Sequence, residues 1–141
     1  MQKIIILDSI RSMQNVGVIF RNADSGFEKI ILTYTPTPPR QDICKTALAE
    51  NTIDWEYYED IMEILQKLKK DFKIFAVELT KEAIDYKTLF KKIDKICLVV
   101  NEVFVNKKVL DFCDKHIIIP MVKKNSLNVS VAAIVMYALV N

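Results

Sequence analysis

The polar residues of this 141-residue chain that could do chemistry gather at junctions between apolar runs. Asn15 and Arg21 lie six apart in Asn15-Val-Gly-Val-Ile-Phe-Arg-Asn-Ala23. Asn101 and Glu102 follow the apolar Cys97-Leu-Val-Val100. Ser126 and Asn128 follow Ile117-Ile-Ile-Pro120 and the polar Lys123, Lys124 and Asn125. Amides, hydroxyls, one carboxylate and one guanidinium can orient a polar or anionic ligand and stabilise charge that develops during a reaction. Ser126 stands where a helix N-cap would stand, ahead of an almost wholly apolar run, and free N–H groups at such a junction suit an anionic or polar ligand. Each residue also has a plainer reading. Arg21 can be a solvated helix residue, Glu102 the cap of the next helix, and Ser126 a capping serine with no ligand.

Other chemistries find little support. The lone His116 enters an apolar strand and reads as structural or surface, with no second histidine for a zinc site and no Ser-His-Asp arrangement. Cys44, Cys97 and Cys113 lack metal-ligand spacing, and an odd count argues against a disulfide framework. No metal is expected. Neither G-x-G-x-x-G nor a P-loop occurs. A net charge of +2 is too small to establish a nucleic-acid partner by itself. The apolar run over 129–140 suits a buried helix better than a membrane span, and the N-terminus lacks a signal-peptide plan. The expectation is a cytoplasmic protein with no membrane partner, folded as a single domain over 1–141.

Hydrophobic periodicity supplies the elements that must position these residues. Strands are expected over 3–7, 28–33, 72–79, 95–100 and 116–119, with a short extended piece over 53–57 around Trp55. Helices are expected from Asn15 to Ala23 and over 42–49, 83–92 and 106–114, besides the closing helix. The clearest runs over 59–70, where Ile61, Ile64, Leu65 and Leu68 fall at i, i+3, i+4 and i+7. Asp8 to Gln14 reads as loop, and so does the proline-rich Tyr34-Thr-Pro-Thr-Pro-Pro-Arg40. Strands alternating with helices predict an α/β fold, with a mostly parallel sheet covered by helices on both faces. All three polar junctions then belong at the carboxyl edge of that sheet, where open α/β folds bind ligands.

Three segments together carry a resemblance. Asn15-Val-Gly-Val-Ile-Phe-Arg-Asn-Ala-Asp24, Leu98-Val-Val-Asn-Glu-Val103, and Ile119-Pro-Met with Asn125-Ser-Leu-Asn-Val-Ser130 resemble the motifs of the SpoU branch of the SPOUT RNA methyltransferases. Tyr34 to Arg40 and Lys45-Thr-Ala-Leu-Ala-Glu50 are similar to that family's intervening loop and helix. The resemblance implies a C-terminal trefoil knot, an obligate homodimer, S-adenosylmethionine as cofactor and 2′-O-methylation of a ribose in tRNA or rRNA. By matching position it implies that Arg21 is catalytic, supported by Asn15, Glu102, Ser126 and Asn128. It likewise implies a cofactor site at Val77, Val100, Asn101, Ile119, Met121, Ser126 and Leu127. Guanidinium stays protonated, so Arg21 suits orienting a phosphate and stabilising charge on the 2′-oxygen better than acting as a base.

The chain departs from the family pattern in one respect. It has only two glycines, Gly17 and Gly26, where average usage would give roughly ten. Glycines of the pattern are missing between Thr33 and Tyr34, Leu48 and Ala49, Val100 and Asn101, Phe104 and Val105, and Ala133 and Ile134. Two accounts compete: residues lost from the sequence, or a glycine-depleted chain. So many simultaneous deletions, each destabilising, favour the first. A truly depleted chain would favour another function, a knotted dimeric module that binds RNA or S-adenosylmethionine without transferring methyl. A plain flavodoxin-like domain requires the three motif matches to be coincidence. If Arg21 acts on the transfer step, Arg21→Ala abolishes methyl transfer while S-adenosylmethionine binding, measured by calorimetry, survives. Equal loss of both would refute that role.

Overall fold

Four successive apolar residues, Ile4-Ile5-Ile6-Leu7, make a strand that is stable only with both faces covered. The computed structural model describes residues 2–12, 15–17, 19–20, 26–34, 54–88, 93–101 and 105–119, and it places that strand near the middle of a seven-stranded sheet. The strands are β1 (Gln2–Asp8), β2 (Lys29–Thr33), β3 (Asp54–Tyr58), β4 (Lys73–Val77), β5 (Ile84–Asp85), β6 (Lys95–Asn101) and β7 (Lys115–Ile118). Their order is β3-β2-β1-β6-β4-β7-β5, and every pairing is parallel. In register, Ile5 lies between Ile30 of β2 and Leu98 of β6.

Alternation along the strands builds two cores. Ile5, Leu7, Ile30, Leu32, Leu98 and Val100 pack on one face with Val16, Ile19 and Phe20. Residues 15–17, 19 and 20 are helical there, as the spacing predicts. The other face carries Ile4, Ile6, Ile31, Cys97 and Val99 beneath two helices, α1 (Ile61–Leu68) and α2 (Lys107–Phe112). In α1, Ile61, Ile64 and Leu65 are buried, and the Asp60 carboxylate caps the first turn by accepting from the Met62 N–H at 2.9 Å. Asn106 caps α2 in the same way, accepting from the Lys108 N–H at 2.8 Å. The expected α/β sheet covered on both faces is the one observed.

One expected helix is not. Over 83–92 the structure has the short β5 and then a 3₁₀ turn, Tyr86–Thr88, with 89–92 outside the described residues. Ile84 is drawn into the ladder opposite Ile117 of β7. The Asp85 side chain accepts from the Lys87 N–H, and its carbonyl accepts from the Thr88 hydroxyl, closing a tight turn where helix would have propagated. The helix expected over 42–49, Pro120, the expected closing helix and the expected knot fall outside the described residues.

His116 is structural, as its lone position suggested. Its Nε2 lies 2.8 Å from the Leu110 carbonyl, which can only accept, so Nε2 carries the proton and Nδ1 accepts from the Thr80 hydroxyl at 2.8 Å. No helix among the described residues is long and apolar enough to cross a membrane. Leu65 is fully buried between α1 and the sheet. Leu65→Ala is expected to cost about 2–5 kcal/mol in urea denaturation, and a cost below ~1 kcal/mol would mean that α1 does not anchor this core.

Candidate functional site at the carboxyl edge of the sheet

From β1 the chain builds outward through β2 to β3, then returns past β1 to β4, and β6 later fills the space between. Such a reversal opens a crevice at the carboxyl ends of the strands. Val77 closes β4, Val100 and Asn101 close β6, and Ile119 follows β7, so the described cofactor candidates end three adjacent strands. Val100 is buried in the core with Val16, Ile19 and Phe20, and the half-buried Val77 and Ile119 pack against the same cluster. Asn15 begins that helical stretch; its backbone N–H donates to the Ser12 hydroxyl at 3.2 Å. Three cofactor candidates and the start of the Arg21 segment therefore share one face of one edge. Arg21, Glu102, Met121, Ser126, Leu127 and Asn128 lie outside the described residues.

Asn101 turns to the opposite face. Its amide donates to Oδ2 of Asp8 at 3.4 Å, while the Thr33 hydroxyl donates to Oδ1 of Asp8 at 2.8 Å. Asp8 was expected to begin a loop; instead it ends β1, paired in register with Thr33 and Asn101. This is a correction with a physical cause. The carboxylate has partners on both neighbouring strands, so the ladder continues one residue past the apolar run. Asp8 is only 3% exposed. Burial pushes its carboxyl above the ordinary range, against hydrogen bonds from Thr33, Asn101 and Ser9 that oppose the rise. Together with Ser9, Arg11, Tyr34 and Asp60, Asp8 and Asn101 line a cleft of about 710 Å³. Thr33 and Asn101 come from distant parts of the chain, and no local spacing could have exposed the cluster. A lone Asp after an apolar run was the only hint.

Two of the junctions where the resemblance expects glycine fall within the described residues. At Val100–Asn101 the ladder to β1 stays in phase, with Val100 opposite Leu7 and Asn101 opposite Asp8. At Thr33–Tyr34 the ladder runs to Thr33, opposite Asp8, and Tyr34 then adopts φ 53°. This left-handed conformation costs a non-glycine residue roughly 1–2 kcal/mol. The turn still demands what glycine supplies most readily, and a tyrosine meets it, with its hydroxyl 3.3 Å from Asp60 Oδ1. Junctions 48–49, 104–105 and 133–134 involve residues outside the described set.

A family model described as the SpoU rRNA Methylase family matches residues 2–138. No curated protein matches the chain by sequence. Among solved structures, a TrmH/SpoU tRNA modifying enzyme of A. aeolicus superposes with a TM-score of 0.86 at 24% identity, over 99% of this chain and 73% of that one. An AdoMet-bound rRNA methyltransferase from Sinorhizobium meliloti gives 0.87 at 23% identity, over 99% of this chain and 55% of that one. A structure concerned with 2-OH methylation of C/U34 on tRNA gives 0.85 at 20% identity, over 99% of this chain and 93% of that one. At these identities the likeness establishes the fold.

The buried Asp8 makes a pH-dependent prediction. Its folded pKa lies above its ordinary 3.8, so below that value it is protonated in both states and has no net effect. As pH rises past that point the unfolded chain ionises first, and the folded state is progressively disfavoured. Asp8→Asn removes this penalty. The stability of the variant relative to the parent, from urea melts, should therefore rise as pH increases from about 4 and level off once the folded carboxyl has ionised. A falling difference would show that the fold favours the carboxylate.

Proposed function

The chain belongs to the SpoU rRNA methylase family, and on that premise we propose that it transfers a methyl group from S-adenosylmethionine to a ribose 2′-hydroxyl of tRNA or rRNA. The observation that carries the reading is the convergence of Val77, Val100 and Ile119 at the ends of β4, β6 and the segment after β7, on the face where the Asn15 helix packs. An apolar ledge at strand ends suits a flat heteroaromatic ring. Met121, Ser126 and Leu127 complete that wall in this reading, and Asn101 contributes through its backbone, its amide being engaged with Asp8.

When bound, S-adenosylmethionine supplies a methyl group already activated on a sulfonium sulfur. The work left to the protein is to align a ribose oxygen in line with that methyl and to ease departure of one proton. Arg21 orients the neighbouring phosphate and stabilises charge developing on the 2′-oxygen, with Asn15, Glu102, Ser126 and Asn128 in support. The 2′-hydroxyl also distinguishes RNA from DNA. The active unit in this reading is a homodimer. The substrate in this reading is tRNA or rRNA.

A second reading, a module that binds RNA or S-adenosylmethionine without transfer, draws on the scarcity of glycine and on Tyr34 at φ 53°. One assay separates the two. The protein is incubated with isotopically labelled S-adenosylmethionine and bulk tRNA or rRNA, and nucleosides are analysed by mass spectrometry. Labelled 2′-O-methylnucleosides are expected. Label on a base would overturn the ribose assignment, and cofactor binding without transfer to either RNA would establish the binding module.

A further inference from the structure

A ligand lying across the ends of β6, β4 and β7 needs those three exits fixed relative to one another. Ladder hydrogen bonds fix the strands, but they stop where the strands stop. At the end of β4 the last ladder bond and a side-chain tie meet in one residue. Glu78 directly follows Val77, and its backbone N–H donates to the Ile117 carbonyl of β7 at 3.1 Å. Its side chain reaches the other way, where Oε2 accepts from the Val105 N–H at 2.7 Å. Oε1 accepts from the Leu79 N–H at 3.1 Å, which holds the carboxylate in orientation. Val105 is 2% exposed and packed in the core with Val109 of α2, so the far end of this tie is anchored in the core. Val105 lies four residues beyond Asn101, the end of β6. Glu78 thus links the end of β4 to β7 and to Val105, downstream of β6.

We propose that Glu78 is a positioning residue for the cofactor site, joining the β4 exit to β7 through its backbone and to the segment after β6 through its carboxylate. The assignment rests on the reading of that edge as the S-adenosylmethionine site. A charge-assisted bond of 2.7 Å to a buried amide is among the stronger kinds available. A role confined to ordering the entry to α2 would affect stability and leave cofactor affinity alone. Positioning makes affinity depend on the reach of the acceptor and not on its charge.

The test is calorimetric titration with S-adenosylmethionine of the full chain and of Glu78→Gln, Glu78→Asp and Glu78→Ala, at a temperature where circular dichroism shows each to be folded. Gln keeps an acceptor oxygen at the same reach, and its Kd should stay within about threefold of the parent. Asp keeps the charge but falls about 1.5 Å short of Val105. Its Kd should rise about tenfold or more, as should that of Ala. Unchanged affinity in Asp and Ala, or equal losses in Gln and Asp, would overturn the assignment. Should Ala not fold, the Gln and Asp pair decides alone. Absence of binding by the parent chain would overturn the cofactor reading itself, an outcome distinct from binding that is indifferent to position 78.

Discussion

Everything in this sheet depends on β1 being paired along both edges and buried on both faces. Ile5 and Leu7 belong to one core and Ile4 and Ile6 to the other, so the strand tolerates no slip in register. A shift of one residue would exchange the two sets and carry Asp8 to the face that receives Val77, Val100 and Ile119. The separation of the two faces at the carboxyl edge is therefore a consequence of the phase of β1. One face ends in apolar side chains beside the Asn15 helix. The other ends in a carboxylate, an amide and a hydroxyl bound to one another.

Sequence periodicity revealed most of the scaffold because most of it is local. α1 repeats its apolar residues at helical spacing and begins at a capping aspartate, and β1 and β6 are apolar runs too short for helices. The segment over 83–92 misled because helix propensity is a weak prior, and pairing of Ile84 with Ile117 outweighed it. The site divides in the same way. Strand-end residues such as Val77, Val100 and Ile119 could be located once motifs had been matched in order. Asp8 and Glu78 could not, because their partners lie 25, 93 and 27 residues away and only the folded chain introduces them.

Glycine scarcity has a visible mark at the same edge. Tyr34 occupies a left-handed conformation immediately after Thr33, whose hydroxyl is bound to Asp8. The strain is held in place by its surroundings: Ser9 donates its backbone N–H to the Thr33 carbonyl at 2.8 Å and is itself at φ 55°. Two adjacent strand exits thus bend sharply without glycine, and they flank the polar cleft.

The strand order also has a consequence for how the protein is made. β2 lies close behind β1 in sequence and can pair with it early, but β6 supplies the other edge of β1, with Asn101 arriving 93 residues after Asp8. On a ribosome releasing roughly 5–20 residues per second, the N-terminal strand waits several seconds with one edge unpaired. That edge is apolar and β-branched, the kind that pairs with stray strands. Synthesis of this chain leaves a strand buried on both faces half-finished until β6 has emerged.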